Sequence, residues 1–231
     1  MADETPEKRD LTVHWGAPDD VGEGAWGQKR RLATAMRLVI ERLVSSDAPE
    51  QELRAAAGGL ERYAEALKKH PRLGHFHGFA ETANAGDVGA FFDQSPLIGL
   101  ANPLAPPIRV EQTGPKSARG TVTFGSAYEG PPGCVHGGFV AAAFDEVLGY
   151  AQSLSGSAGF TGTLTTRYRT PTPLHEELRF EAWVDRVEGR KIFASGTLHA
   201  GDRLCAEADA IFISIDPTRY RHLIANRHLK M

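Results

Sequence analysis

Apolar residues recur at intervals of three and four in two segments near the start of the chain. The first segment spans about residues 28–44, and the second spans about residues 49–69. Their apolar positions are Leu32, Met36, Val39 and Leu43, then Leu53, Ala57, Leu60, Ala64 and Leu67. This spacing predicts two amphipathic helices, and the link at 45–49 supplies capping side chains and a proline suited to a first helical turn. We therefore expect a helical hairpin whose apolar stripes serve packing.

From residue 119 onward the apolar period is two, which is the period of half-buried β-strands. Five segments alternate in this way or are rich in β-branched residues, and Gly or Pro separates them: residues 119–124, 162–170, 178–187, 191–198 and 204–215. Residues 188–190 and 200–202 each carry a central glycine and predict tight hairpins between the last three segments. The sequence therefore predicts a largely antiparallel sheet.

A nearly continuous apolar run at 139–152 follows a Pro- and Gly-rich loop and separates the first strand from the others. This composition is typical of a helix that is buried on most sides. On a helical wheel the bulkier side holds Phe139, Val140, Ala143, Phe144, Val147, Leu148 and Ala151, and the smaller side holds Gly138, Ala141, Ala142, Asp145 and Gly149. An antiparallel sheet wrapped around this helix buries the bulky side, so we expect an α+β fold with an N-terminal helical extension.

Asp145 lies on the small side of that helix, where another backbone can approach closely. A carboxylate in such a contact needs a hydrogen-bonding or charged partner, or it has a functional role. His136 and Gly137 stand where the helix begins, and the free N–H groups there suit a developing negative charge. His136 and Asp145 are too far apart for one site, because nine positions span about 13 Å of helix and roughly half a turn. Two copies that pack this helix antiparallel form two composite sites across a two-fold axis instead.

Charge and composition exclude several other classes of protein. The chain has Lys+Arg 26 against Asp+Glu 29, a net charge of −3, which gives no sign that nucleic acid or an anionic membrane is the main partner. No apolar run approaches the roughly 20 residues of a membrane-spanning helix, and the acidic residues 1–5 lack a signal-peptide core. With only Cys134 and Cys205 as cysteines, we expect a reducing compartment and a cytoplasmic protein with no membrane span.

We expect three parts along the chain: an N-terminal arm and helical hairpin at 1–85, a main domain at 86–216, and a basic C-terminal tail at 217–231. Residues 1–27 are polar and rich in Gly and Pro, and we expect this irregular arm to dock through Trp15 and Trp26. Three histidines lie close together, His70, His75 and His77. Nothing nearby supplies the further ligands of a defined geometry, so no metal site is expected.

The motif His136-Gly137-Gly138, followed by Asp145-Glu146 and by TGTLTTRYRTP at 161–171, resembles the hot-dog-fold acyl-CoA thioesterases of the phenylacetyl-CoA thioesterase-like branch. The resemblance covers about residues 105–216. It implies an antiparallel sheet around a long central helix, an acyl-CoA substrate and a homodimer with composite active sites, with the pairing of two dimers left open. No cofactor is implied, because CoA is part of the substrate.

The resemblance also implies roles for four catalytic residues. Asp145 acts as nucleophile or as the base for water, and Thr161 positions that water. His136 contributes to carbonyl binding, and the N–H of Gly137 polarises the thioester oxygen. Glu146 is not expected to be the base, because it falls about 100° further round the helix than Asp145. The leaving thiol has a pKa near 8.5, so cleavage requires oxyanion stabilisation and an activated water rather than a strong acid.

Four further residues are expected to bind substrate: Gly138, Thr163, Arg167 and Arg169. The second of two consecutive glycines lets a substrate approach the helix N-terminus. By strand alternation we expect Thr163, Thr165, Arg167 and Arg169 to share a side with Thr161, where the two arginines can meet CoA phosphates.

Three functions stay open from the residues alone. The first is thioester hydrolysis. The second is a hot-dog hydratase or dehydratase of an enoyl- or hydroxyacyl-CoA, which uses an Asp/His pair to move a proton and a water at carbon. The third is a non-catalytic acyl-CoA sensor, in which Asp145 satisfies backbone groups and His136 caps the helix. The chain has no Gly-x-Ser-x-Gly, P-loop or dinucleotide fingerprint.

Overall fold

Three α-helices and six β-strands form the regular structure of the part of the chain that the computed structural model describes, residues 24–70, 93–156 and 159–214. The helices are α1 (Gly24–Val44), α2 (Glu50–Leu67) and α3 (Gly137–Ser153). The strands are β1 (Arg109–Gly114), β2 (Ser117–Thr123), β3 (Gly159–Tyr168), β4 (Glu177–Glu188), β5 (Lys191–Ala200) and β6 (Arg203–Ser214). A short 3₁₀ turn at Ser126–Tyr128 precedes the loop that leads into α3.

The six strands form one antiparallel sheet in the order β1-β2-β4-β5-β6-β3. Helix α3 packs against every strand, so the sheet curves around it and the core lies between them. Both predicted hairpins are present, and Gly189 and Gly201 take the positive φ values of 57° and 58° that tight turns require. The predicted α+β architecture, with one long helix enclosed by an antiparallel sheet, is confirmed.

Sequence periodicity missed the edge strand β1. Its burial alternates too weakly to be recognised, because Val110 is the only residue of the strand that is buried. The strand is nevertheless well paired with β2, and Val110 and Ile108 add to the core beneath it. An edge strand covered on one side by so few apolar residues leaves little periodic signal in a sequence.

The two sides of α3 differ in burial as their composition predicts. The bulky side faces the sheet: Val140, Ala143, Phe144, Val147, Leu148 and Ala151 are all buried. The small side, which holds Asp145, is only half-covered by the chain itself. A Cβ added at Gly149 on this side meets no atom within 4 Å. The described chain therefore leaves open space along the face of α3 that carries the carboxylate.

Polar contacts attach α1 to the main domain. The indole N–H of Trp26 and the guanidinium of Arg30 both bind the buried carboxylate of Asp93. Further along the helix, Arg37 donates to the backbone C=O of Asn102 at 2.9 Å. Trp26 therefore docks as expected, but its assignment to an irregular arm is wrong, because α1 already begins at Gly24.

The apolar stripes of α1 and α2 do not pack within the described residues. Met36, Val39 and Leu43 are 37%, 46% and 56% exposed, and α2 contributes no buried residue. Helix α1 turns a different side, which includes the buried Ala33, toward the domain. The stripes therefore find no packing partner among the described residues, and their expected role in packing stays a prediction.

Several predictions fall outside the described residues. These concern Trp15, His75, His77 and the basic tail, as well as the domain boundaries at 85/86 and 216/217, which stay predictions. Among the described helices, none combines the length and the apolar character needed to cross a bilayer.

Candidate active site

Asp145 and Thr161 meet where α3 passes the start of β3. The hydroxyl of Thr161 donates a hydrogen bond of 2.7 Å to Oδ1 of Asp145. This length is typical of an O–H donor on an ionised carboxylate. The bond fixes the carboxylate and leaves its second oxygen, Oδ2, available to a water or a substrate on the half-exposed side of the helix. The structure thus brings together two of the four residues that were predicted to be catalytic.

His136 and Gly137 lie at the N-terminus of the same helix, and Asp145 lies near its middle. His136 is the N-cap residue, and its Nδ1 accepts the N–H of Gly138 at 3.0 Å. A ring nitrogen that accepts is unprotonated, so the neutral imidazole presents its Nε2–H as a donor. The N–H of Gly137 lies in the first turn of α3 and has no acceptor within the helix. The N–H of Gly137, at the edge of a cleft, therefore suits an oxygen that gains negative charge.

Tyr168, which the sequence analysis did not assign to the site, holds this corner in place from the end of β3. Its hydroxyl donates to the backbone C=O of Gly137 at 2.7 Å. A Cβ added at Gly137 stands 3.2 Å from the Tyr168 ring, so any larger residue there would push the ring away by a few tenths of an ångström. The same strand therefore touches Asp145 through Thr161 at its start and Gly137 through Tyr168 at its end.

A cleft of about 420 Å³ opens beside the N-terminus of α3. Gly137 and Val140 of the helix form one wall, and Tyr168 and Arg169 form another. Cys134 also lines the cleft and is a free thiol. Arg169 thus lies near the predicted carbonyl-binding corner, and its guanidinium forms an ion pair of 2.5 Å with Glu207.

The prediction that Thr163, Thr165 and Arg167 share a side with Thr161 is wrong. A β-bulge interrupts the pairing of β3 with β6 between Thr161 and Thr163, and the extra residue reverses the alternation. Thr161 consequently faces α3, whereas the other three line a polar groove on the outer face of the sheet. Arg167 is paired there with Asp209. Substrate binding by Thr163 and Arg167 stays a prediction that their position on the outer face does not favour.

Glu146, the residue after Asp145, has an unusual carboxyl group. Its Oε1 atom is buried and has no hydrogen-bond partner among the described residues. Burial and, to a smaller extent, the charge of Asp145 together raise the pKa of Glu146 to about 7. A carboxyl group with this pKa is largely protonated below neutral pH. The sequence analysis excluded Glu146 as the base because it lies on a different side of the helix from Asp145. Its position on the helix gave no indication that its carboxyl group is buried.

The raised pKa of Glu146 predicts a stability that falls as the pH rises. Between its unfolded value of 4.5 and the folded value of about 7, the folded state binds more protons than the unfolded state. The contribution of Glu146 is therefore most favourable below about pH 4.5 and is lost as the pH rises through 7. We expect Glu146→Gln to increase the free energy of unfolding at pH 8 by up to about 3 kcal/mol and to have little effect at pH 4.5.

Denaturant unfolding of both proteins at the two pH values measures this difference. Glu176→Gln, at an exposed position, is the matched control and should leave the pH dependence unchanged. Parallel stability curves for the wild type and Glu146→Gln would contradict the prediction.

The N-terminal extension is linked to the site through Glu41. Its carboxylate on α1 accepts the N–H groups of Ser126 and Ala127, at 2.9 and 3.3 Å. Burial alone raises the pKa of Glu41, but these donors and the nearby His175 outweigh it, and the net pKa lies below its usual value. Tyr128 is the last residue of the 3₁₀ turn at Ser126–Tyr128, and its backbone C=O accepts the N–H of His136 at 2.8 Å. Helix α1 thereby contacts the turn at Ser126–Tyr128, which in turn holds the N-terminus of α3 in position.

Comparison with known proteins agrees with this geometry. The family model of the thioesterase superfamily matches residues 132–207, which contain the start of α3, Asp145 and Thr161. The crystal structure of a thioesterase superfamily protein is 36% identical to this chain, with a TM-score of 0.71, and the match covers 80% of this chain and 94% of that chain.

Two relatives are similar in sequence over a shorter region. The acyl-coenzyme A thioesterase THEM4 of Xenopus laevis is 36% identical over 95 residues, which are 40% of this chain and 43% of the relative. The acyl-coenzyme A thioesterase THEM5 of Homo sapiens is 31% identical over 93 residues, 39% of this chain and 38% of the relative. The chain thus spans less than half the length of these relatives.

A six-stranded antiparallel sheet encloses one helix, which carries a carboxylate at its middle. This architecture defines a hot-dog domain. The chain belongs to the thioesterase superfamily.

Proposed function

We propose that this protein is an acyl-CoA thioesterase, which hydrolyses the thioester of an acyl-CoA to the free acid and CoA. The observation that carries the proposal is the Asp145–Thr161 hydrogen bond on the same helix whose N-terminus opens into the cleft. The acyl-coenzyme A thioesterases THEM4 and THEM5 support it as relatives over this region.

The chemistry proposed for the site needs no cofactor, because CoA belongs to the substrate. The thioester oxygen accepts hydrogen bonds from the N–H of Gly137 and from His136 as it gains negative charge. Asp145 takes a proton from a water that attacks the carbonyl carbon, and Thr161 holds the carboxylate in place. Alternatively Asp145 attacks that carbon itself and forms an acyl-aspartate anhydride, which water hydrolyses to the free acid after the thiolate has left. The C–S bond then breaks, and the CoA thiolate leaves without a strong acid because a thiol pKa lies near 8.5. Arg169 borders the substrate at the cleft. Gly138 is not part of the cleft lining, and its predicted contact with substrate stays a prediction.

The composite site requires a second copy, and the position of β3 supports one way in which two copies form it. This strand lies at the edge of the sheet and is exposed along most of its length. Its start carries Thr161, next to Asp145, and its end carries Tyr168, next to Gly137. These two ends are about 20 Å apart along the strand. Antiparallel pairing of two β3 edges places the start of one strand beside the end of the other, and so brings Asp145 of one copy to Gly137 of its twin.

The uncovered side of α3 supports the same arrangement. Its small residues leave room for a neighbouring backbone, and among the described strands β3 pairs on one side only, with β6. We therefore propose a homodimer with two composite sites, in which each copy supplies its carboxylate to the carbonyl-binding corner of the other. We also propose that the protein works in the cytoplasm, a placement supported by its two free thiols, Cys134 and Cys205.

A hydrolysis screen over short, long and aromatic acyl-CoAs tests the proposed reaction. A thiol reagent in the assay follows release of free CoA, and we expect turnover with at least one of these classes. Binding without thiol release would indicate a sensor. A change in the conjugated absorbance of an enoyl-CoA without thiol release would indicate a hydratase. Either result would contradict the thioesterase assignment.

A further inference from the structure

Helix α2 carries an apolar stripe that nothing in the described residues covers. We define the α2 seam as Leu53, Ala57, Leu60, Ala64 and Leu67. Its three leucines are 42%, 49% and 49% exposed, and no residue of the helix is buried. A helix of this length with one bare apolar stripe is marginal in water on its own, so the stripe calls for a partner.

The spacing of the α2 seam indicates that the partner is another helix. Its residues are four, three, four and three positions apart, which is a repeat of 3.5 residues rather than 3.6. This is the heptad pattern of helices that pair along their length, with alanine at the a positions and leucine at the d positions. Small residues at alternate positions let a second helix approach closely.

The order of leucine and alanine along the α2 seam suits an antiparallel copy of the same helix. In that register Leu53 of one copy faces Ala64 of the other, and Ala57 faces Leu60, so the four central layers each combine one large and one small residue. Leu67 lies beyond these layers, opposite Glu50 at the start of the other helix. A parallel pair stacks leucine on leucine and alanine on alanine, and places Glu50 against its own copy. The antiparallel register therefore fills the layers evenly and avoids the like charges.

Charges beside the α2 seam are complementary in the same register. Arg54 and Glu61 occupy the e position of successive heptads, and antiparallel pairing places Arg54 of one copy beside Glu61 of the other. The acidic first turn, with Glu50 and Glu52, meets the basic end of its partner at Lys68. Within the chain, Arg54 is paired with Glu50 by side chains that are 79% and 84% exposed. Exposed pairs of this kind are weak, so Arg54 can exchange partners at little cost.

We propose that α2 pairs antiparallel, along the α2 seam, with the α2 of a second copy of this chain. The helix has 18 residues, which is about 27 Å and too short to hold two proteins together alone. It strengthens an association in which other surfaces take part, because a second contact between linked copies forms at high effective concentration. The pairing rests on the α2 helix and is independent of the proposed reaction.

Sedimentation equilibrium of the full chain over a range of concentrations tests this pairing. Leu60→Glu places a charge in the centre of the α2 seam. We expect it to raise the dissociation constant of one step in the association of copies at least 10-fold. Ala55→Glu is the matched control, because residue 55 lies on the opposite side of α2 and is exposed. It should change the association constant by less than 2-fold, and both variants should keep the helical content of the wild type.

A charge exchange tests the antiparallel register. Arg54→Glu and Glu61→Arg each create like-charge pairs across the two helices, and we expect each to weaken the same step about 3-fold or more at low salt. The double variant restores opposite charges between copies and should recover the wild-type association. Residues 54 and 61 are about 10 Å apart within one helix, so recovery has to come from pairing across copies.

Three results would overturn the proposal. One is unchanged association in Leu60→Glu. Another is weakened association in Leu60→Glu with no recovery in the charge-exchanged double variant, which would place α2 on a different surface of the second copy. The third is a lowered thermal stability of Leu60→Glu with unchanged association, which would mean that the chain covers its own seam.

Discussion

Asp145→Asn is expected to lower the turnover of acyl-CoA by roughly 10²-fold or more while the fold is retained. Asparagine keeps the shape of the side chain, and its carbonyl oxygen can still accept the hydroxyl of Thr161, now bonded to Oδ1 of the aspartate at 2.7 Å. The amide is neither a base for water nor a nucleophile. The loss should therefore lie in kcat, with little change in KM, measured on the best substrate of the acyl-CoA screen.

A carboxylate far from the cleft provides the control for this variant. Asp202 is exposed in the turn between β5 and β6, and Asp202→Asn should retain full activity. Circular dichroism and thermal melting should show that both variants are folded. An Asp145→Asn enzyme with an unchanged rate would remove Asp145 from the mechanism and leave the family membership as it stands.

Mixing two inactive variants is expected to restore activity. In the proposed dimer, Asp145→Asn damages the carboxylate half of both sites, and Gly137→Val damages the carbonyl-binding half of both. The valine side chain enters the space within 3.2 Å of the Tyr168 ring, and we expect this variant to lose about 10²-fold in turnover. A mixed dimer contains one site in which both halves are intact. Random exchange gives half mixed dimers, so the mixture should recover about a quarter of the wild-type rate.

Separate affinity tags on the two variants measure how many mixed dimers form. The double variant Asp145→Asn/Gly137→Val, mixed with Asp145→Asn, is the negative control, because no combination of these chains contains an intact site. Mixed dimers that form but stay inactive would show that each copy carries its own complete site, contrary to the geometry inferred from β3.

The sequence predicted the main domain well where its periodicity was strong. The run at 139–152 gave both the helix and the direction of its bulky side, since the residues opposite Asp145 are the ones that the sheet buries. The motif at 136–138 and 161–171 gave the family. Strand β1 was not predicted, because a strand with one buried residue shows no alternation of apolar and polar positions.

The predictions that failed depended on features that a period does not encode. Alternation placed Thr163 and Arg167 with Thr161, and a single bulge between Thr161 and Thr163 turned them to the opposite face. The stripes on α1 and α2 predicted packing, but a stripe does not specify its partner, and the described residues do not supply one. Tyr168 and Glu146 were passed over because their roles depend on contacts with other elements and on burial.

By itself, the sequence determined the elements, the side of α3 that is buried and the residues that can carry the chemistry, because these follow from local spacing and from residue type. Only the tertiary structure decided which of these residues meet. The bulge in β3 brings Thr161 to Asp145, and the end of the same strand brings Tyr168 to Gly137. Such distances depend on how strands pair across the sheet, and a linear pattern does not contain them.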